Sequence, residues 1–116
     1  MLNTTTLDTD QARYNAAAST EAYLSRHGAS LCDLLDAFDD PSGFEALCGL
    51  HVALSAAFPE ADAVEAALRD IHGALEGQAP SALDRISRER NMSASDMTRW
   101  HGARASELLA RFRNAR

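Results

Sequence analysis

The sequence predicts an all-α protein, a small helical bundle of five or six helices with no sheet, and three observations carry that expectation. Of its 116 residues 46% are apolar, and this set is dominated by Ala and Leu, which give up little side-chain freedom in a helix. The β-branched aliphatics that pack a sheet number only four, Val52, Val64, Ile71 and Ile86. Apolar residues also recur at helical spacing, most clearly Leu31, Leu34, Leu35 and Phe38 at i, i+3, i+4 and i+7. A chain of this length is a single domain that buries roughly two-thirds of the surface its unfolded form exposes.

Residues 1–8 are rich in Thr and Asn without periodicity and read as a flexible N-terminus, leaving 9–116 as the helical domain. The first helix is expected from Thr9 to His27, capped by Asp8 or Thr9. Its apolar face is mostly alanine, with Tyr14, Tyr23 and Leu24 as the only large members, so it should be the least firmly held. Gly28 can end this helix in left-handed geometry, with Ser30 and Asp33 starting a second over Leu31 to Asp39. An uninterrupted helix through Gly28 is the alternative, because Leu24, Leu31 and Phe38 keep a seven-residue spacing.

Asp40 and Pro41 give an N-cap followed by proline in the first turn, and the next helix is expected to reach Phe58, before Pro59. It is apolar nearly all round, with Phe44, Leu47, Cys48, His51, Leu54 and Phe58 on one face and Ala46, Leu50, Ala53 and Ala57 on another. So little polar surface implies either the centre of the bundle or half of an intersubunit contact, and a homodimer would shield the second face. Glu60 to Glu76 follows as an ordinary amphipathic helix with Val64, Leu68, Ile71 and Leu75 inward and Gly77 as its stop. Past the linker-like 77–80 stretch, a helix after Ser81, with Ser81 and Asp84 resembling a shortened capping box, carries Leu83 and Ile86. A last helix begins after Ser93 or Ser95, with Met97, Trp100, Leu108 and Phe112 inward.

Charge divides the chain unevenly. Residues 1–79 hold three Arg against thirteen acids, while 80–116 hold eight Arg against four, so an acidic part (9–79) precedes a basic helical hairpin (80–116). Either the hairpin arginines pack against the acidic part, or the basic end meets an acidic partner. Every basic side chain is Arg, which a GC-rich bacterial genome explains together with the abundant Ala. No apolar run approaches the roughly 18 to 20 residues that cross a bilayer, and the start lacks a signal-peptide pattern, so a cytoplasmic protein with no membrane role is expected.

The junction over 83–102 also fits a helix-turn-helix unit. Ile86 and Ser87 fall at its apolar and small positions, Asn91 at the turn position that tolerates left-handed geometry, and Met92, Met97 and Trp100 at sites that lock the second helix. Ser93, Ala94, Ser95, Thr98 and Arg99 would face DNA, with Arg85, Arg88, Arg99 and Arg104 neutralising phosphates. Arg90 stands where an apolar residue is expected, and Asp96 would repel phosphates.

Other constellations are weaker. Cys48 and His51 stand three apart on one helix and could form half a metal site with Cys32, His27 or His72, but no second paired half-site exists. Cys48 therefore reads as an inert core thiol and His51 as a hydrogen-bonded core residue. No cofactor or metal is expected. None of His27, His51, His72 and His101 lies in a recognisable catalytic motif and no phosphate-binding glycine loop is present, so an enzyme is not expected.

A binding protein needs only a shaped apolar surface with a charged rim, and that class is favoured. The N-terminal MLNTTTLDTDQARYN, the lysine-free Ala/Arg composition and the apolar LCGLHVALSAAF helix give the whole chain a resemblance to the small QslA-type quorum-sensing anti-activators. That resemblance implies a homodimeric inhibitor that binds a LuxR-type transcription regulator and acts through protein contact. Phe44, Leu47, Leu50, Leu54 and Phe58 are the candidates for subunit or partner contact; Ser93, Ser95, Thr98, Arg99 and Arg104 are the candidates for the alternative DNA-binding role.

Overall fold

A computed structural model describes residues 4–57 and 60–115, and among these five helices and no strand are present: α1 (Thr4–Ala37), α2 (Ser42–Ser55), α3 (Ala61–Glu76), α4 (Pro80–Arg90) and α5 (Ala94–Asn114). α2 lies on α3, α3 on α5, and α1 along α5, so α3 and α5 form the middle of the bundle and α4 caps α5. The molecule is a rod of 58 × 23 × 21 Å. Its length is that of α1, whose 34 residues extend about 51 Å at 1.5 Å per residue.

The uninterrupted reading of the first two expected helices is the one realised. Gly28 has no positive φ and sits buried inside α1, and Ser30 starts nothing. The reason lies in the stripe: Ala16, Thr20, Tyr23, Leu24, Leu31, Leu34, Leu35 and Phe38 are all buried, and Leu31, Leu34 and Leu35 have no exposed surface. Each such leucine contributes about 1.5–3 kcal/mol, so one continuous buried stripe outweighs the roughly 1 kcal/mol that a mid-helix glycine costs. The buried part of α1 is therefore mainly its C-terminal half, where the predicted Leu31, Leu34, Leu35 and Phe38 stripe lies. Its N-terminal part differs: Asp10, Gln11, Ala12, Tyr14 and Asn15 are exposed, and an Arg13–Asp62 ion pair ties it to the start of α3. The stretch read as irregular is helical from Thr4 onward.

Several boundaries shift for local reasons. α2 begins at Ser42, whose N–H donates to the Asp40 carboxylate (3.0 Å), and it stops at Ser55; Phe58 and Pro59 lie outside the described residues. α3 is bordered by Glu60 and Gly77, and Val64, Leu68, Ile71 and Leu75 are buried as expected. α4 starts at Pro80 rather than after Ser81, and its first turn has no side-chain cap, so the Ser81 and Asp84 capping box is not formed. Where α2 crosses α3 and α1, Gly43 is required: a Cβ there would stand 2.9 Å from both Ala74 Cβ and Leu35 Cδ2.

Of the two readings of the uneven charge, packing of hairpin arginines against the acidic part occurs at two contacts. Arg85 pairs with Asp39 at 2.8 Å and Arg90 with Asp36 at 3.6 Å. Arg90, the residue that breaks the helix-turn-helix pattern, is thus a strap to the end of α1. Among the described residues no helix is long and apolar enough to cross a membrane.

Candidate functional site

α2 buries a narrower arc than its composition suggests. Leu47 and Leu50 are fully inside, and Phe44 and Leu54 pack half-buried along the edges, so of the candidate contact residues Leu47 and Leu50 belong to the monomer core. Phe58 lies outside the described residues. Cys48 and His51, expected in the core, are both exposed, because the α2 helix turns its Gly43, Leu47 and Leu50 side to α3 and leaves their side to solvent. A helix that is apolar all round cannot state from its sequence which arc faces in.

Val52 shares that outer side and is 73% exposed. Nearby, Tyr14 from α1, 64% exposed, and Leu54 with Ala56 and Ala57 from the α2 end line a groove of about 190 Å³. Tyr14 and Val52 are the two most exposed large hydrophobic side chains among the described residues; Tyr14 lines this groove, and Val52 stands on the outer side of α2 with Cys48 and His51. Tyr14 had been read as part of the packing face; the helix carries it beyond the bundle instead.

The α4–α5 junction has the turn that the pattern demanded. Asn91 is left-handed (φ 52°, ψ 52°), its N–H and that of Met92 donate to the Ser87 carbonyl, and the Ser87 hydroxyl accepts the Ala94 N–H at 3.1 Å. Asn is the side chain that tolerates this conformation after glycine. The face of α5 expected to read DNA is less available. Ser95, Thr98 and Arg99 line a concave groove of about 580 Å³ together with His72 and Glu76 of α3. Thr98 Oγ1 is buried without a hydrogen-bond partner, Arg99 pairs with Asp96 at 3.4 Å, and Arg104 bonds Glu107 at 2.7 Å. Ser93 and Ser95 are exposed. Trp100, expected to lock the second helix inward, is 40% exposed.

Trp100 marks an arrangement that sequence reasoning missed. Below it, His101 is only 2% exposed and lies between two side chains of α1: Tyr23 Oη is 2.5 Å from Nδ1 and Ser30 Oγ 3.1 Å from Nε2. Burial, and then the neighbouring His27, lower the His101 pKa to about 4, so the ring is neutral at pH 7. Burial raises the Tyr23 pKa well above its ordinary value, against a smaller opposing effect of Arg104, so the phenol stays protonated. The assignment that satisfies all three groups has the Tyr23 hydroxyl donating to Nδ1 and Nε2–H donating to Ser30. A Ser–His–Tyr relay thus exists as bonds, yet it is closed off inside the α1–α5 interface and joins the two helices.

Above this network His27 meets the edge of Trp100 with ring centroids 4.6 Å apart, and the Arg104 guanidinium stands over the indole at 5.2 Å. Trp100, His27 and Arg104 line one groove of about 350 Å³ with Arg26, Glu107 and Arg111. The signal was present in sequence as Tyr23, His27 and Ser30 at i, i+4 and i+7, polar side chains on the buried stripe of α1.

Among the described residues no group of three His, Cys, Asp or Glu side chains could hold a metal ion, so Cys48 and His51 gain no third ligand from Cys32, His27 or His72. Both cysteines are free thiols; burial, then Asp33 and Asp36, raise the pKa of Cys32, which makes it a poor nucleophile. Comparison with known protein families, with characterised proteins and with solved structures finds no match.

Proposed function

We propose that this chain is a small regulatory protein that acts by binding another protein, and that its partner is a transcription regulator of the LuxR type held off its DNA. One observation carries the reading: large apolar side chains stand uncovered on both α1 and α2, Tyr14 at the Leu54 groove and Val52 on the outer side of α2. Large apolar side chains left outside a bundle with room for a full leucine core favour a contact surface over loose packing. The resemblance in size, acidity and N-terminal sequence to the quorum-sensing anti-activators supplies the partner class. A homodimer formed through the outer side of α2, around Cys48 and Val52, belongs to the same reading.

The test is a mobility shift of a purified LuxR-type receptor on its promoter DNA. Adding the chain is expected to abolish the receptor–DNA band, and Tyr14→Glu with Val52→Glu to restore it; a band unchanged by any amount of the chain refutes the partner class.

The left-handed Asn91 turn favours a second reading, a helix-turn-helix DNA binder using Ser93, Ser95, Thr98, Arg99 and Arg104. Weighing against it, Arg85 and Arg90 are engaged by Asp39 and Asp36, and the would-be reading face is concave beside Glu76. The same gel with the chain alone separates the two, since phosphate-dominated binding weakens steeply with salt.

A further inference from the structure

The groove between α1 and α5 is chemically unlike the one that Tyr14 lines and shares none of its lining residues. Three guanidinium groups, Arg26, Arg104 and Arg111, line it against one carboxylate, Glu107, and Arg104 already takes that carboxylate. Arg26 and Arg111, from opposite walls, have no ion pair among the described residues. In a chain of net charge −6 this is a local concentration of uncompensated positive charge. At its side stands Trp100, the single tryptophan, kept 40% exposed although indole burial is strongly favourable. Its position is fixed rather than loose, since His27 packs on it and Arg104 covers it.

We propose that this groove binds a short acidic segment of a partner protein, its carboxylates on Arg26 and Arg111 and a flat apolar side chain against Trp100. Tryptophan and arginine are the residues that dominate protein-binding hot spots, and a pre-positioned indole flanked by unpaired guanidinium groups has that composition. A nucleic acid fits less well: a polyphosphate needs an extended basic track, and the long acidic part of the chain repels it.

Because the chain has one tryptophan, its emission reports on this groove alone. Titration of the full chain with an acetylated and amidated EDFDE peptide is expected to give a saturable change in that emission. The affinity should fall about tenfold in Arg26→Ala/Arg111→Ala and as the salt concentration is raised, and should fall again for an EDADE control peptide. Both arginines are exposed, so the variant is expected to keep the circular dichroism and melting curve of the native chain. No change in emission up to millimolar peptide, or equal affinity for the native chain and the double variant, overturns the proposal. Tighter binding of a thymidine oligonucleotide of equal charge also overturns it, in favour of single-stranded nucleic acid. None of these outcomes bears on the Tyr14 and Val52 surface, which the double variant leaves intact.

Discussion

Tyr23 on α1 and His101 on α5 meet across the helix interface, phenol oxygen to imidazole Nδ1 at 2.5 Å, with Ser30 taking the other ring nitrogen. The contact satisfies three polar groups inside an otherwise apolar interface, and it works only while the ring is neutral. In the folded chain the His101 pKa is lowered from 6.5 to about 4, so between these values the unfolded chain binds a proton that the folded chain does not. Stability from this site is therefore fully present above pH 6.5 and lost as pH falls toward 4, a loss on the order of 3 kcal/mol. Urea unfolding across this range should show that decline in the native chain. His101→Asn should be less stable at pH 7.5 but lack this share of the decline; equal pH dependence in both would refute the assignment.

Gly28 and Gly43 should respond to alanine in opposite directions. Gly28 is helical, and a Cβ there meets only ordinary contacts with Leu24, at 3.8 Å and beyond. Gly28→Ala is expected to stabilise by about 0.5–1 kcal/mol in thermal or urea unfolding. Destabilisation would mean that the chain breaks at Gly28 in left-handed geometry. Gly43→Ala, forced against Ala74 and the fully buried Leu35, is expected to cost about 1–3 kcal/mol.

Thr98 carries a buried hydroxyl oxygen with no partner. Thr98→Val keeps the shape and a similar helix propensity while removing that group, so the melting temperature should rise, corresponding to about 1 kcal/mol. A fall would mean that the hydroxyl is hydrogen-bonded.

Where a helix had one apolar stripe, the sequence was readable to the residue: Leu31, Leu34, Leu35 and Phe38, and Val64, Leu68, Ile71 and Leu75, are all buried. Gly28 misled because a lone glycine followed by Ser30 carries the same local signal whether the helix stops or continues, and only the nonlocal packing of Tyr23 and Leu24 decides. For α2 the periodicity was uninformative, as apolar residues circle the helix; Cys48 and His51 fell on the solvent side and Leu50 in the core. The Tyr23–Ser30–His101 network joins positions more than seventy residues apart; the spacing of Tyr23 and Ser30 marks the α1 side, and no local pattern names His101 as their partner. The Asn91 turn, in contrast, is a local matter of backbone sterics and was legible.

Capture by the immobilised full chain, compared between the native protein and its Tyr14→Glu/Val52→Glu variant and quantified by mass spectrometry, tests the central claim most directly. Both positions are exposed, so the variant should fold as the native chain does. Protein binding through Tyr14 and Val52 predicts a LuxR-type regulator retained by the native chain and reduced roughly tenfold or more by the variant. Recovery of the same proteins in equal amounts on both, or of none on either, would contradict it.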